Sequence, residues 1–375
     1  MVSVLHIGKY YPPHPGGMES HLHGLAVRQT SAAQVKVIVA NAKRENECCV
    51  MEGVSVTRVA RIAIIASMPV CPGLSRAIRR TPADLVHIHM PNPGAALALL
   101  MSGHTGRVVM THHADTLGRQ FLRRFSDPFV TRLMRRASRI IVTSNRYLDS
   151  SSELAPFRDK CRVIPLGIDI QRPPYADPAT VRGLRQQFGD RLLLAVGRLV
   201  PYKGFDILIR SMKHIEGQLI LIGAGPQSNA LASLVASEGV QGKVCMLGRV
   251  EDLGPYFAAA SVFVLPSINR AEAFGIVQLE AMAAGLPVVN TDIDSGAPEI
   301  SLDGITGLTV PPSDPVSLAR AVSTLLDDRD LQLKMGDAGR KRVREEFSVE
   351  QMSARTMHIY DEIMGTERQA MSQWQ

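Results

Sequence analysis

Residues 191–223 read RLLLAVGRLVPYKGFDILIRSMKHIEGQLILIG. Two unbroken apolar runs, RLLLAVG and QLILIG, flank a stretch with helical patterning. Strands that are apolar at every position are buried on both faces, the condition of a parallel sheet covered by helices. The alternation repeats outward in both directions: VSVLHIG, VKVIVA, VSVTRVA, DLVHIH, RVVMTHH, RIIVTS and RVIPLG upstream, then KVCMLG, SVFVLPS and LPVVNT downstream. The series restarts after the proline-bearing segment LGIDIQRPPYADPAT, which reads as a linker. The expected fold class is α/β, with two doubly wound Rossmann-like domains at 1–168 and 169–347. A helical stretch, 348–375, is expected to pack across both. In such sheets ligands sit at the carboxyl ends of strands, so functional residues are sought there and the main crevice is expected between the domains.

Composition agrees with this architecture and excludes others. A chain of 375 residues suits two domains, and its 45% hydrophobic share supplies two cores. No apolar run approaches the roughly 18 residues of a bilayer span. The start, MVSVLHIGKYY, lacks the pattern of a signal peptide. Five cysteines without a CxxC pair read as free thiols in a reducing compartment. The histidines never sit at metal spacing beside cysteine, so no metal site is expected. Charge is uneven: residues 1–170 hold 22 Lys and Arg against 11 Asp and Glu, whereas the remainder hold 20 against 24. The basic half should therefore meet something acidic.

Four motifs lie at expected strand ends. In GKYYPPHPGGMES, Gly16 and Gly17 let backbone amides approach a phosphate or sugar at a helix start; taken alone, the loop reads more readily as an ordinary tight turn. In VGRLVPYKGFD, Arg198 and Lys203 offer a planar fork and a point charge to a diphosphate. In RAEAFGIVQLEAMAAGLPVVNT, Glu272 and Glu280 stand eight positions apart, and Phe274, Gly275, Ile276 and Val277 supply the first free amides of a helix. In VVMTHHADTL, adjacent His112 and His113 point to opposite sides of a strand, one toward the cleft and one behind. GxGxxG is absent, which disfavours a nicotinamide dehydrogenase.

The ordered series PGGMESHL, VHIHMPNP, VVMTHHADT, RIIVTSNRYL, VIPLGID, AVGRLVPYKG, LILIGAGP, LGRVED, EAFGIVQLEAMAAGLPVV and GLTVPP resembles family 4 of the retaining glycosyltransferases over nearly the whole chain. The resemblance implies a GT-B fold, two Rossmann-like domains facing across a cleft with a C-terminal helix crossing back. It implies an EX7E motif, with Glu272 catalytic and Glu280 on the donor ribose. It implies Arg198 and Lys203 on the diphosphate, His113 near the donor sugar and Gly17 close to the transferred hexose. Gly16, Val250 of LGRVED, Phe274, Gly275, Ile276 and Val277 complete the implied donor site. The EAFGIVQLEAMA and PVVNT stretches resemble mannosyltransferases of surface-polysaccharide assembly, which implies GDP-mannose as the preferred donor. The expected reaction is retaining hexosyl transfer from a nucleoside-diphosphate sugar, a co-substrate, with no cofactor. Metal independence is expected because the DxD at Asp292-Ile-Asp294 reads as a turn. A retaining glycoside hydrolase would leave Arg198 and Lys203 unexplained. A nucleotide- or RNA-binding module lacks interleaved aromatics, and no nucleic-acid partner is expected.

One basic stretch points elsewhere. Residues 119–139 carry Arg119, Arg123, Arg124, Arg132, Arg135, Arg136 and Arg139, interleaved with Phe121, Leu122, Phe125, Phe129, Val130, Leu133 and Met134. They read as two amphipathic stretches broken at Asp127-Pro128. Such surfaces lie on anionic lipid. The expectation is a cytoplasmic protein held peripherally on the inner face of the membrane, with a polyprenyl-diphosphate-linked acceptor. A core-facing stripe with a solvated charged face is the alternative.

Overall fold

The apolar runs form strands, and the helical patterns between them become the cover those strands require. The computed structural model describes residues 1–14, 16–65, 68–115, 120–171 and 176–372, with 120–126 and 366–372 described by backbone alone. The chain divides into two compact units, Met1–Gly167 with Val349–Gln375, and Ile168–Ser348.

The first unit contains β1 (Val2–Ile7), β2 (Ala33–Ala40), β3 (Glu47–Met51), β4 (Val54–Val59), β5 (Ala63–Ile65), β6 (Met68–Val70), β7 (Leu85–Met90), β8 (Arg107–His112), β9 (Arg139–Val142) and β10 (Cys161–Val163). Eight form one sheet in the order β10-β9-β8-β7-β1-β2-β4-β3, while β5 and β6 make a separate hairpin. The sheet is parallel except for the β3–β4 pair. On one face Leu5, Ile7, Val86, Ile88 and Met110 pack in a core with Leu99, Leu133 and Tyr147. On the other, Val4, Leu85 and Val109 meet Leu22 and Leu25 of the helix Gly17–Gln29, and Met352 and Tyr360 of the helix Val349–Ser372. That C-terminal helix belongs to the first unit, tied by Arg28–Glu350 at 2.9 Å and by Arg139–Glu362.

The second unit is one parallel sheet of β11 (Leu192–Val196), β12 (Gln218–Ile222), β13 (Val244–Gly248), β14 (Val262–Leu265), β15 (Val288–Thr291) and β16 (Gly307–Val310), in the order β13-β12-β11-β14-β15-β16. Its helix Pro315–Asp327 shows how the sequence starts such cover. Asp314 caps the amides of Val316 and Ser317, and Pro315 opens the first turn. Leu318, Val322 and Leu325, spaced four and three apart, then face the sheet core.

Four strands, β3, β5, β6 and β16, lie outside the expected series. β3 is a half-exposed edge strand turned back through Glu52 and Gly53, both at positive φ. It therefore lacks the unbroken apolar signature of buried strands. The basic stretch also differs from expectation. One helix, Gln120–Arg136, runs through Pro128 without a break. Val130, Leu133 and Met134 are buried in the unit's core, so they are not a membrane-facing stripe. Arg132 and Arg135 are exposed. Arg136 instead donates to the His104 carbonyl, and Arg139 pairs with Glu362. The Arg119, Phe121, Leu122, Arg123, Arg124 and Phe125 side chains lie outside the described residues. No described helix is long and apolar enough to cross a membrane.

Candidate functional site

Strand order fixes where each sheet can hold a ligand. In the second unit, the chain leaves β11 toward β12 and β13, then returns to the other side through β14, β15 and β16. The crossovers that begin in the loops after β11 and β14 run in opposite directions along the sheet, which makes their strand ends the place where a ligand is expected.

Those loops are locked together by backbone contacts. After β11 come exposed Arg198, buried Leu199 and Val200, and the turn Pro201–Lys203. Gly204 follows at φ 64, and a Cβ there would stand 2.0 Å from the Pro266 carbonyl oxygen. Only glycine permits both that conformation and that approach. The Ile268 amide donates to the Tyr202 carbonyl at 2.8 Å, and the Thr291 hydroxyl at the end of β15 donates to the Ser267 carbonyl. Beside them Gly223 lies against Gly197, where a Cβ would be 1.8 Å from its carbonyl oxygen.

This packing joins two residues that sequence reasoning had assigned separately. Lys203 Nζ lies 2.5 Å from Glu272 Oε2, with both side chains buried. The Ser267 hydroxyl donates to the same oxygen at 2.9 Å. Lys203 also stands 5.9 Å from the centre of the Tyr202 ring. A buried ion pair holds only when its remaining hydrogen-bonding capacity is met, which Ser267 helps to do. Ser267 was missed in the sequence; it is an ordinary serine just past a strand end.

Glu280 lies in the first turn of the helix Val277–Ala283. Among the described residues no hydrogen bond or ion pair reaches its carboxyl. Desolvation by burial pushes that carboxyl up to about 7. The amides of Gln278 and Leu279 are engaged by the Gly275 and Ile276 carbonyls. Among the described residues those of Phe274, Gly275, Ile276 and Val277 have no such partner, and they form the open start of the helix. Val250, half-buried, lies just beyond β13. Asp292 and Asp294 are exposed in the turn after β15.

The first unit has its own switch point, between β1 and β7. There the helical face turns from apolar at the strand starts to polar at their ends. His6 pairs in register with His87, and His89 pairs with Thr111. His6, His21, His87, His89 and His113 are all buried. Desolvation pushes His6 down to about 4 and His21 to about 3, and holds His87, His89 and His113 well below the usual range. His87 bonds the Tyr360 hydroxyl at 2.5 Å and the Thr111 hydroxyl at 2.6 Å. The neighbour His112 takes different company from His113: its Nδ1 lies 2.7 Å from the Tyr147 hydroxyl, which donates to Asp115.

The helix Gly17–Gln29 carries His21 to within 4.8 Å of His113, ring centre to ring centre. It brings the glycine loop and the β8 end together. That helix start is less open than expected. The Glu19 carboxyl accepts from its own backbone amide, and a Cβ on Gly16 would stand 2.1 Å from Glu19 Oε2. Sequence reasoning missed this cluster. The signal was the two-residue spacing of His87 and His89 in VHIH, which puts both rings on one face of a strand. Among the described residues three groups have possible ligand atoms mutually within 4.8 Å: His6, His87 and His89; His21, His89 and His113; His112, Asp115 and Glu153. The expectation of no metal site rested on spacing along the chain, whereas these groups come from separate elements.

Comparison with known proteins gives the family and the fold. Residues 182–342 match the family of glycosyl transferases group 1, and residues 15–172 match glycosyltransferase family 4. A D-rhamnosyltransferase of Pseudomonas aeruginosa is 33% identical over 71% of this chain and 70% of its own. A GDP-mannose-dependent monoacylated alpha-(1-6)-phosphatidylinositol monomannoside mannosyltransferase of Corynebacterium glutamicum is 28% identical over 93% of this chain and 95% of its own. The structure of a sucrose-phosphate synthase from Thermosynechococcus elongatus superposes with a TM-score of 0.79 at 20% identity, covering 97% of this chain and all of that one. The chain is thus a group 1 glycosyltransferase of family 4, and its fold is GT-B.

Proposed function

We propose that this enzyme transfers a hexose, preferentially mannose from GDP-mannose, to a lipid-linked saccharide acceptor with retention at the anomeric carbon. The observation that carries the reading is the buried Lys203–Glu272 pair at the switch point of the second sheet, held by Ser267 and neighboured by exposed Arg198. Arg198, Lys203 and the amides of residues 274–277 offer positive potential to a departing diphosphate, so transfer needs no metal there. Glu280 accepts from the donor ribose, whose hydroxyls supply the partners its carboxyl lacks. The bond from the anomeric carbon to the diphosphate oxygen breaks, and its electrons leave with the phosphate. The acceptor oxygen bonds to the same face of the carbon, and its proton passes to the departing phosphate. Glu272 stands by the developing positive charge, and His113 contacts a hydroxyl of the transferred sugar. Gly16, Gly17 and Val250 line the donor.

The donor preference is supported by the mannosyltransferase relative and by the EAFGIVQLEAMA sequence. The basic first half supports an acceptor that carries phosphate, a polyprenyl diphosphate, and peripheral association with an anionic membrane. A panel of nucleotide sugars, screened by thermal shift and then by turnover in excess chelator, tests the reading. A donor at 100 times its Kd should add about 2.7 kcal/mol of stability. A strict manganese requirement, or cleavage of simple glycosides without nucleotide, would overturn it.

A further inference from the structure

Among the buried histidines of the first unit, three join Gln29 in a single line of contacts. Gln29 Oε1 lies 2.8 Å from His6 Nε2, His6 Nδ1 lies 3.1 Å from His89 Nε2, and His89 Nδ1 lies 3.4 Å from His113 Nε2. The ring centres of His6 and His89 are 5.4 Å apart, and those of His89 and His113 are 5.7 Å apart. Each separation matches the N···N distance plus the two ring radii, so each nitrogen points straight at the next. The ring planes differ by only 25° and 19°, which brings each N–H close to an in-plane lone pair. His21 stands outside the line. It meets His89 and His113 nearly edge-on, and its nitrogens have no partner among the described residues.

The line has a direction. A neutral imidazole carries one N–H and one bare nitrogen. Desolvation keeps these rings neutral near pH 7, with His6 pushed down to about 4 and His89 and His113 held well below the usual range. The Gln29 oxygen can only accept, so His6 donates through Nε2 and accepts at Nδ1. His89 in turn donates through Nε2 and accepts at Nδ1, and His113 donates through Nε2. What remains at the far end is His113 Nδ1, a bare acceptor that is buried and has no partner among the described residues. A buried acceptor left unmet is rare and costly, and it favours a donor that arrives with a ligand.

We propose that Gln29, His6 and His89 are positioning residues that hold the proton of His113 on Nε2, so that His113 Nδ1 accepts a hydrogen bond from one hydroxyl of the transferred sugar. The proposal rests on the transferase reading above and names the atom and the polarity of its sugar contact. The partner of one ring nitrogen decides which nitrogen carries the proton, and here that choice is passed along three rings from an amide on the helix Gly17–Gln29. His89 is braced from the side as well. His87 stacks on it with ring centres 4.5 Å apart, and His87 is itself held between the Tyr360 and Thr111 hydroxyls. A sugar that carries hydrogen in place of that hydroxyl leaves Nδ1 unmet, so the chain of rings selects for a hydroxyl at one position of the donor.

The test reads the proton first and the sugar second. In the full chain with 15N-labelled imidazoles and no donor, the nitrogen shifts of His113 should show a protonated Nε2 and a bare Nδ1. Gln29→Met fills the same space without the accepting oxygen, and it should let His113 populate both tautomers. Turnover is then compared between GDP-mannose and its monodeoxy analogues. One analogue should be disfavoured by the wild type, and Gln29→Met should narrow that preference by roughly 10-fold. A merely structural role would lower turnover of every donor alike. A proton on His113 Nδ1, an unchanged tautomer in Gln29→Met, or an equal loss with every donor would each overturn the proposal. If Gln29→Met does not fold, the wild-type spectrum alone decides whether the proton is on Nε2. That spectrum needs no donor, so absence of turnover with any nucleotide sugar would count against the transferase reading and not against the line of rings.

Discussion

In the first unit β1, β7 and β8 bring together His6, His87, His89 and His113, while in the second β11 and β14 lead into Lys203 and Glu272. Both groups sit at the carboxyl ends of doubly wound sheets where strand order reverses. One is built of neutral rings without a counterion and leaves nitrogens without partners. The other is built of opposite charges that satisfy each other at 2.5 Å. The comparison teaches that the same topological position can be stabilised in two ways. A closed ion pair needs no ligand to persist, and its members must be shared or released when an anion arrives. A set of neutral rings needs no counterion, and it leaves buried nitrogens without partners.

The sharpest way to break this contrast is Lys203→Met. It would strand the buried Glu272 carboxylate, and urea unfolding should show a loss of about 3–5 kcal/mol. The double variant with Glu272→Gln should recover most of it, since two neutral groups no longer need each other. An unchanged midpoint in the single variant would mean that the pair is not holding the loops. Next in size, Glu272→Gln alone should lower kcat by roughly 100-fold, about 2.7 kcal/mol, with little change in donor KM. An effect confined to KM would reverse the roles given to the two glutamates.

In the first unit, Tyr360→Phe removes the hydroxyl that meets His87 Nδ1 and should cost about 1–3 kcal/mol, read as a lower thermal midpoint. A neutral result would mean that water replaces the hydroxyl and that the cluster is wetter than its burial implies. Glu280→Gln should have the smallest effect, raising donor KM by roughly 10-fold, about 1.4 kcal/mol. It also has a pH signature. With its carboxyl pushed up to about 7, folded Glu280 keeps a proton that the unfolded chain has already released. Stability from this group is therefore present below the unfolded carboxylate range and declines as pH rises from about 4.5 to 7. Glu280→Gln should flatten that part of the profile, measured as urea midpoint against pH.

Legibility in the sequence varied with the kind of information required. Arg198, Lys203, Glu272 and Glu280 could be singled out because each lies just after an apolar strand or in the helix that follows, and strand ends are visible as the close of a run. Val130, Leu133 and Met134 were ambiguous because an apolar stripe beside arginines has the same periodicity whether it faces lipid or a core. The helix runs through Pro128 because packing of its apolar face offsets the lost hydrogen bond, a contribution no local pattern records. β3 escaped notice because an edge strand needs no apolar continuity.

From the sequence alone came the α/β class, the two doubly wound units and the residues that close their strands. These depend on apolar runs and turn residues a few positions apart, and backbone hydrogen bonding and burial act over that same range. The tertiary structure alone decided that Lys203 closes on Glu272, that Ser267 joins them, and that His21 reaches His89 and His113. Those partners lie on different elements, and their meeting depends on strand order, register and the seating of a helix. Such choices are made by the packing of the whole core, which no spacing along one stretch of chain contains.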